Sequence, residues 1–444
     1  MNKFSRIGFI LTAAGSAVGL GNIWRFPYIT GEYGGGAFIL VYLLAILFIG
    51  LTVFLAEAVI GQNGQADVST SFVTLSKTKN KNWKYAGFMV ATGLIILSFY
   101  SVVLGWILDY MIKSFVFLPT EAKIAGENFE NLISNDISSL LLYHTIIAVT
   151  VVFIVLKGIK EGIEKINLIL MPLLGLILFG LLIYAFTLDS FSQAVSFMFS
   201  PDFSKIDSNA LLAALGQAFF TLSLGVGTIL TYSASLPKNA NIVKSSFIVA
   251  SVDTMIALVA GLIIFTFLFT AGAKSAAGPG LVFISLPVIF SSWGILGNII
   301  AVSFFLALVF AGITSAVSMI EPSLRFFIER FKISRVKATI LCGTTFYILG
   351  IIALLSMSKS FGEVLTFFGK NAFDIMDFAS SSIMMPIAAI MICIFLGYFV
   401  EKKTLEEKFT KHTSYTIFSI WYFLIRYIVP VAIIILFLNK LGAI

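Results

Sequence analysis

Long apolar runs separated by short polar segments set the pattern of this chain. A helix of roughly 20 apolar residues crosses the hydrocarbon core of a bilayer. By that measure the sequence predicts an all-α membrane fold of about eleven transmembrane helices. They fall at about 8–30, 36–62, 86–116, 138–157, 162–187, 208–236, 243–271, 292–328, 336–357, 370–400 and 414–438, and are numbered helix 1 to helix 11 in that order. Several runs exceed the minimum length, as tilted or extended spans do. The longest polar stretches, near 63–85 and 117–137, are too short to fold alone, so residues 1–444 read as a single transmembrane domain.

Composition agrees. The chain is 59% hydrophobic and 11% charged, against about 25% charged in soluble domains. The basic residues mark alternate loops: Lys77, Lys79, Lys81 and Lys84 after helix 2; Lys157, Lys160 and Lys165 after helix 4; Lys238 and Lys244 after helix 6; Arg330, Lys332, Arg335 and Lys337 after helix 8; Lys402, Lys403, Lys408 and Lys411 after helix 10. The loop after helix 3 is acidic, with Glu121, Glu127, Glu130 and Asp136. Positive charge gathers on the cytoplasmic side. The expected topology is multi-pass in the cell inner (plasma) membrane, with the N-terminus cytoplasmic and the C-terminus outside. No basic face accompanies the net charge of +7, so the expected partners are lipid and a small solute, with no nucleic acid and no obligatory protein partner.

Other chemistry is thin. Cys342, Cys393, His144 and His412 are too few and too scattered for a zinc site. No nucleophile elbow, paired histidine or metal motif is present, so an enzyme is not expected. The first apolar stretch lacks a convincing cleavage site for a signal peptide.

Helix 1 breaks the rules of a plain span. Gly15, Gly19 and Gly21 fall within seven residues, and Asn22 and Arg25 follow. Glycine weakens a helix by about 1 kcal/mol relative to alanine, and lipid cannot satisfy the backbone that a break exposes. Such backbone belongs in protein or along a cavity, where free carbonyls suit a hard cation and a half-helix N-terminus suits a carboxylate. Close helix packing is the alternative for helix 1 taken alone. Helix 6 repeats the theme over residues 217–228, with Thr221, Ser223, Gly225, Gly227 and Thr228 at mid-span. Paired interrupted spans at the start of two blocks of five helices point to a transporter binding site.

Residues 15–27, the Gly34-Gly35-Gly36 that follows and the helix 6 segment together resemble the neurotransmitter:sodium symporter family, bacterial branch, over helices 1–10. The resemblance implies two inverted five-helix repeats, helices 1–5 (about 8–187) and helices 6–10 (about 208–400), with helices 1 and 6 broken and helix 11 (about 414–438) added. It implies two sodium ions. The first would meet Ala17, Asn22, Thr221 and Asp253, with the substrate carboxylate completing the site. The second would meet the carbonyls of Gly15, Val18 and Ala311 and the hydroxyls of Thr314 and Ser315. All offer oxygen, as a hard cation requires. The substrate pocket carried over is Ser16, Ala17, Ile96, Tyr100, Phe220, Thr221, Ser223, Val226, Ser315, Ser318 and Met319. No acidic residue stands where relatives hold an amine, which favours a zwitterionic, apolar amino acid.

The chloride neighbourhood of chloride-dependent relatives corresponds to Tyr42, Gln217, Thr221, Asp253 and Ala257. A carboxylate at Asp253, costly inside a membrane and usually functional there, would supply chloride's charge, so chloride is not expected to be required. Arg25 and Asp377 would pair as an outer gate. Glu57 is expected to hold the unwound part of helix 1. Gly162 and Pro172 enclose nine residues, a spacing that resembles the family's unwinding of helix 5; a simple proline kink is the bland alternative. The pattern departs from the family at the short N-terminus, at Ser235 in place of a tyrosine, and at Glu329 as the inner acidic residue, leaving Arg6 and Glu329 as the candidate inner gate.

The function expected is sodium-coupled import of a small, apolar L-amino acid by alternating access. The alternatives are a carrier of the wider amino acid–polyamine–organocation group, or a ligand-gated channel or sensor that does not transport.

Overall fold

The computed structural model describes residues 4–78, 80–272 and 278–442; residues 1–3, the first half of the short N-terminus 1–6, and Lys79 lie outside the described residues. Among the described residues, nine helices are each long and apolar enough to cross a bilayer. They are Gly36–Gly64 (helix 2), Lys81–Lys113 (helix 3), Ile137–Leu156 (helix 4), Ile159–Phe186 (helix 5), Ile242–Thr270 (helix 7), Gly294–Phe331 (helix 8), Arg335–Ser356 (helix 9), Ala372–Phe399 (helix 10) and Tyr415–Lys440 (helix 11). Helix 1 is a bent pair, Arg6–Ala17 (half 1a) and Gly21–Glu32 (half 1b), meeting at 51°. Helix 6 is divided into Ser208–Thr221 (half 6a) and Thr228–Ser233 (half 6b), of 14 and 6 residues, each too short to span alone.

Polar residues start the helices. Ser5, Asp136, Asp207, Asn241, Ser334 and Ser414 each accept a backbone N–H in the first turn of the helix that follows, satisfying donors that would otherwise lack partners. The two interrupted helices lie inside the bundle. Half 1a packs against helix 7, and half 6b packs against helix 2, the corresponding pair when the two blocks of five are exchanged. Helix 3 packs along helix 8 beside the interrupted helices, and helix 4 packs along helix 9.

The connections hold more helix than length alone suggests. Val68–Leu75, Ala122–Ser134, Phe191–Phe199 and Lys402–Thr410 form short helices in polar connections, and Leu281–Ser291 forms another before helix 8. A two-residue pairing of Thr366–Phe367 with Lys370–Asn371 stands between helices 9 and 10.

Candidate functional site

The break in helix 1 leaves carbonyls without helical partners, and helix 8 reaches them. The Ser315 hydroxyl lies 3.2 Å from the Gly15 carbonyl, 3.4 Å from that of Ser16 and 3.1 Å from that of Val18. Glycine lets side chains come close at two positions. A Cβ on Gly15 would collide with Asn167 Oδ1, and one on Gly19 would lie 2.7 Å from Ser315 Oγ. In helix 6 the unwound residues 222–227 include Ser223 at φ 51°, Gly225 at 78° and Gly227 at 80°. Side chains rarely adopt this conformation. Ser223 holds it while its hydroxyl donates to the Ser16 carbonyl at 2.9 Å, joining the two breaks. Glu57 corrects the expectation: its carboxylate accepts the Gly225 N–H at 2.6 Å and so holds the break in helix 6.

A cavity lies where the breaks meet. Ser16, Ala17, Ile96, Tyr100, Phe220, Thr221, Ser223, Val226, Ser315 and Met319 line it, with Gly19, Leu20, Gly21 and Met385. Ten of the eleven residues expected in the pocket are therefore present. Ser318 is not. At about 100° per residue it stands about 60° round helix 8 from Ser315, on the side away from Met319; it is fully buried, its hydroxyl donates to the Thr314 carbonyl and its own carbonyl accepts from Thr228 of half 6b. At one end of the cavity the Tyr100 hydroxyl accepts the Leu20 N–H at 3.4 Å. The cavity measures about 30 Å³, room for no more than two or so waters. Above it opens a vestibule of about 320 Å³, sharing Leu20, Gly21, Tyr100 and Phe220 as floor.

Two oxygen clusters flank this cavity. In the first, Asn22 Nδ2 lies 2.8 Å from Asp253 Oδ1, 3.0 Å from the Asp253 carbonyl and 3.0 Å from Thr221 Oγ1. Thr221 Oγ1 in turn donates toward both Asp253 carboxylate oxygens, at 3.1 and 3.0 Å, and Asn22 Oδ1 accepts from Gly19 N–H. Asp253 is fully buried, which excludes snorkelling to the interface. Gln217 donates to the Gly21 carbonyl at 3.0 Å beside it. The second cluster gathers the Gly15 and Val18 carbonyls around Ser315, while Thr314 Oγ1 donates to the Ala311 carbonyl at 2.9 Å. Asn167 of helix 5, unforeseen in the sequence, adds to it. Its amide nitrogen donates to the Ile163 carbonyl, and its buried Oδ1, beside Gly15, has no hydrogen-bond partner among the described residues.

The outer gate residues stand apart, and the inner carboxylate is held by a residue other than Arg6. Arg25 and Asp377 line one vestibule, but no ion pair joins them among the described residues; the Arg25 guanidinium instead lies 4.8 Å over the Phe220 ring that roofs the cavity. On the inner side Arg6 is exposed, and Glu329 is held elsewhere. Glu329 Oε1 pairs with Arg325 Nε at 2.8 Å, and its Oε2 accepts the Asp67 N–H at 2.6 Å. Buried Arg325 also donates to the Thr231 carbonyl at 3.1 Å and to Ser235 Oγ at 3.2 Å. Arg325 is one turn from Glu329 on the same helix, so it captures that carboxylate before an arginine on another element can. Ser5 is fastened separately: its N–H and hydroxyl donate to Glu164 Oε1 at 3.2 and 2.6 Å. Glu164 ends a wide-wound turn, Ile159–Glu164, that contains Gly162. Helix 5 is thus loosely wound here rather than unwound, and Pro172 lies inside its regular part.

The sequence profile of the Sodium:neurotransmitter symporter family matches residues 2–135 and 122–444. The chain belongs to this family. Family relatives of similar length support it: an uncharacterized sodium-dependent transporter of Bacillus subtilis is 36% identical over 99% of this chain and 97% of its own. A second, from Haemophilus influenzae, is 35% identical over 98% of this chain and 97% of its own. Among solved structures, MhsT in complex with L-phenylalanine matches with a TM-score of 0.89 and 42% identity, over 99% of this chain and 100% of that one. The protein is therefore a sodium-dependent membrane transporter of this family and not an enzyme.

Proposed function

We propose that the protein imports a small apolar L-amino acid together with Na⁺. The observation that carries this reading is the cavity's lining. A hydroxyl and a backbone N–H, from Tyr100 and Leu20, stand at one end. The Ser16 carbonyl and Ser223 stand at another part of the wall, Ile96, Val226 and Met319 supply apolar surface, and no acidic side chain is among the lining residues. A carboxylate would meet Tyr100 and the N–H groups of helix 1; an amino group would meet helix 6 and Ser16 oxygens; an apolar side chain would meet the rest. The solved relative that holds L-phenylalanine supports the same class.

Na⁺ as co-substrate fits both oxygen clusters. At the first, Asn22 would turn its Oδ1 toward Thr221 and Asp253, with Ala17 and the substrate carboxylate completing the shell. Asp253 would supply the negative charge, making chloride unnecessary. At the second, Gly15, Val18, Ala311, Thr314 and Ser315 would hold the ion. Arg25 and Asp377 would approach across the vestibule once substrate is bound, and Arg325 with Glu329 would close the inner face. With basic loops inside, the chain sits in the cell inner membrane, N-terminus in the cytoplasm and C-terminus outside.

Proteoliposomes containing the purified protein test the proposal. Labelled apolar amino acids should accumulate under an inward Na⁺ gradient and fail to do so in K⁺ or choline. Equal uptake in all three salts would sink the symport reading.

A further inference from the structure

A groove of about 510 Å³ opens between helices 4 and 9, away from the transport site. Ala148, Val149, Val152, Phe153 and Leu156 form one wall; Ile340, Gly343 and Tyr347 form part of the other. Residues 145–156 run along it, roughly 17 Å at 1.5 Å per residue, about the depth of one leaflet of a 30 Å hydrocarbon core.

One end of the groove is basic. Arg335 Nε donates to the Val155 carbonyl at 2.6 Å, tying the start of helix 9 to the end of helix 4. Lys157 and Lys337 therefore stand at the same end. The Arg335 charge is already matched by Glu321, at 3.0 and 2.6 Å. Lys157 and Lys337 are exposed and make no ion pair among the described residues. The Lys157 ammonium lies 4.0 Å over the Phe153 ring, at the mouth of the groove. At the same end, two residues beyond Lys337, Thr339 lines the groove; it is fully buried, and its hydroxyl has no hydrogen-bond partner among the described residues. A buried hydroxyl normally has one.

Two ammonium groups without a carboxylate partner and one hydroxyl unpartnered among the described residues gather at one end of an apolar channel, and match the phosphate, glycerol ester and acyl chain of a phospholipid. We propose that this groove seats one acyl chain of an anionic phospholipid, with Lys157 and Lys337 at the phosphate and Thr339 donating to an ester carbonyl. Charge complementarity selects the anionic lipid over a second copy of the chain, whose own basic end would meet like charge.

Native mass spectrometry of the full chain in detergent, incubated with equal phosphatidylglycerol and phosphatidylcholine, tests this. Phosphatidylglycerol should be retained preferentially. A lysine near the membrane surface is worth roughly a fivefold change in binding of an anionic lipid, so the double variant Lys157→Gln/Lys337→Gln should lose that preference by on the order of 25-fold. Gly343→Leu, which projects toward Val152, should displace both lipids. Thr339→Val should weaken retention of both and keeps the test open if Gly343→Leu fails to fold, as judged by thermal unfolding. Equal retention of the two lipids, retention unmoved by the variants, or a lipid-free dimer mass would each overturn the proposal.

Discussion

Arg325 and Glu329, one turn apart on helix 8, form an ion pair at 2.8 Å; Arg325 also fastens half 6b at Thr231 and the turn after it at Ser235. An exposed pair of this kind contributes under about 1 kcal/mol, but Arg325 is buried. Removing the guanidinium leaves two acceptors and a carboxylate short of a donor, at about 1–3 kcal/mol. Arg325→Gln should therefore favour inner opening: cysteines placed on the inner face of half 6b should label faster, and outward-facing affinity for substrate should fall several-fold. Arg6→Gln should leave both within about twofold. The reverse ranking would return the inner gate to Arg6.

Asp253 is the carboxyl group of the first oxygen cluster, and its proposed role is to supply the negative charge there. Asp253→Asn should reduce uptake at least tenfold in chloride-free gluconate medium, with partial recovery when chloride is added. Wild-type uptake should be the same in both media. A wild type that needs chloride would remove the proposed role of Asp253.

Asn167 presents beside Gly15 an amide oxygen with no partner among the described residues. Asn167→Leu should raise the Na⁺ concentration for half-maximal uptake by about fivefold, while the order of competing amino acids stays unchanged. Asn167→Asp should restore part of the loss. A change in substrate order with unaltered sodium dependence would place Asn167 outside the ion pathway.

Met319 borders the cavity and Ser318 does not. Met319→Ala removes about two to three methylene equivalents, each worth about 0.8 kcal/mol when buried. Larger aromatic amino acids should then gain on small ones by about tenfold in competition for uptake. Ser318→Ala should leave the competition order alone and lower thermal stability slightly, through loss of its bond to the Thr314 carbonyl.

Much of this architecture was legible because breaks need glycine. Gly15 and Gly19 let Asn167 and Ser315 approach closely, and Gly225 and Gly227 take positive φ, so the sequence marks both interruptions. The apolar runs likewise placed the helices, because spanning length is a one-dimensional property. What failed was facing and partnership. Ser318 differs from Ser315 only by its angle around helix 8. Arg325 and Glu329 read as inner-end charges until the fold shows Asp67 and half 6b beside them. Glu164 and Asn167 follow a run of lysines that reads as loop, while the wide-wound turn at Ile159–Glu164 carries helix 5 back to residue 159. The short helices in the connections have too few residues to register as spans.

Glu164 and Asn167 sit three residues apart on helix 5, one grasping Ser5 and the other facing Gly15. Slackening of the turn they follow would release the amino-terminal half-helix and disturb the second ion pocket in the same movement. Ion leak in the absence of solute and a wandering amino terminus should then arise from one lesion, and a variant that cures either should cure both.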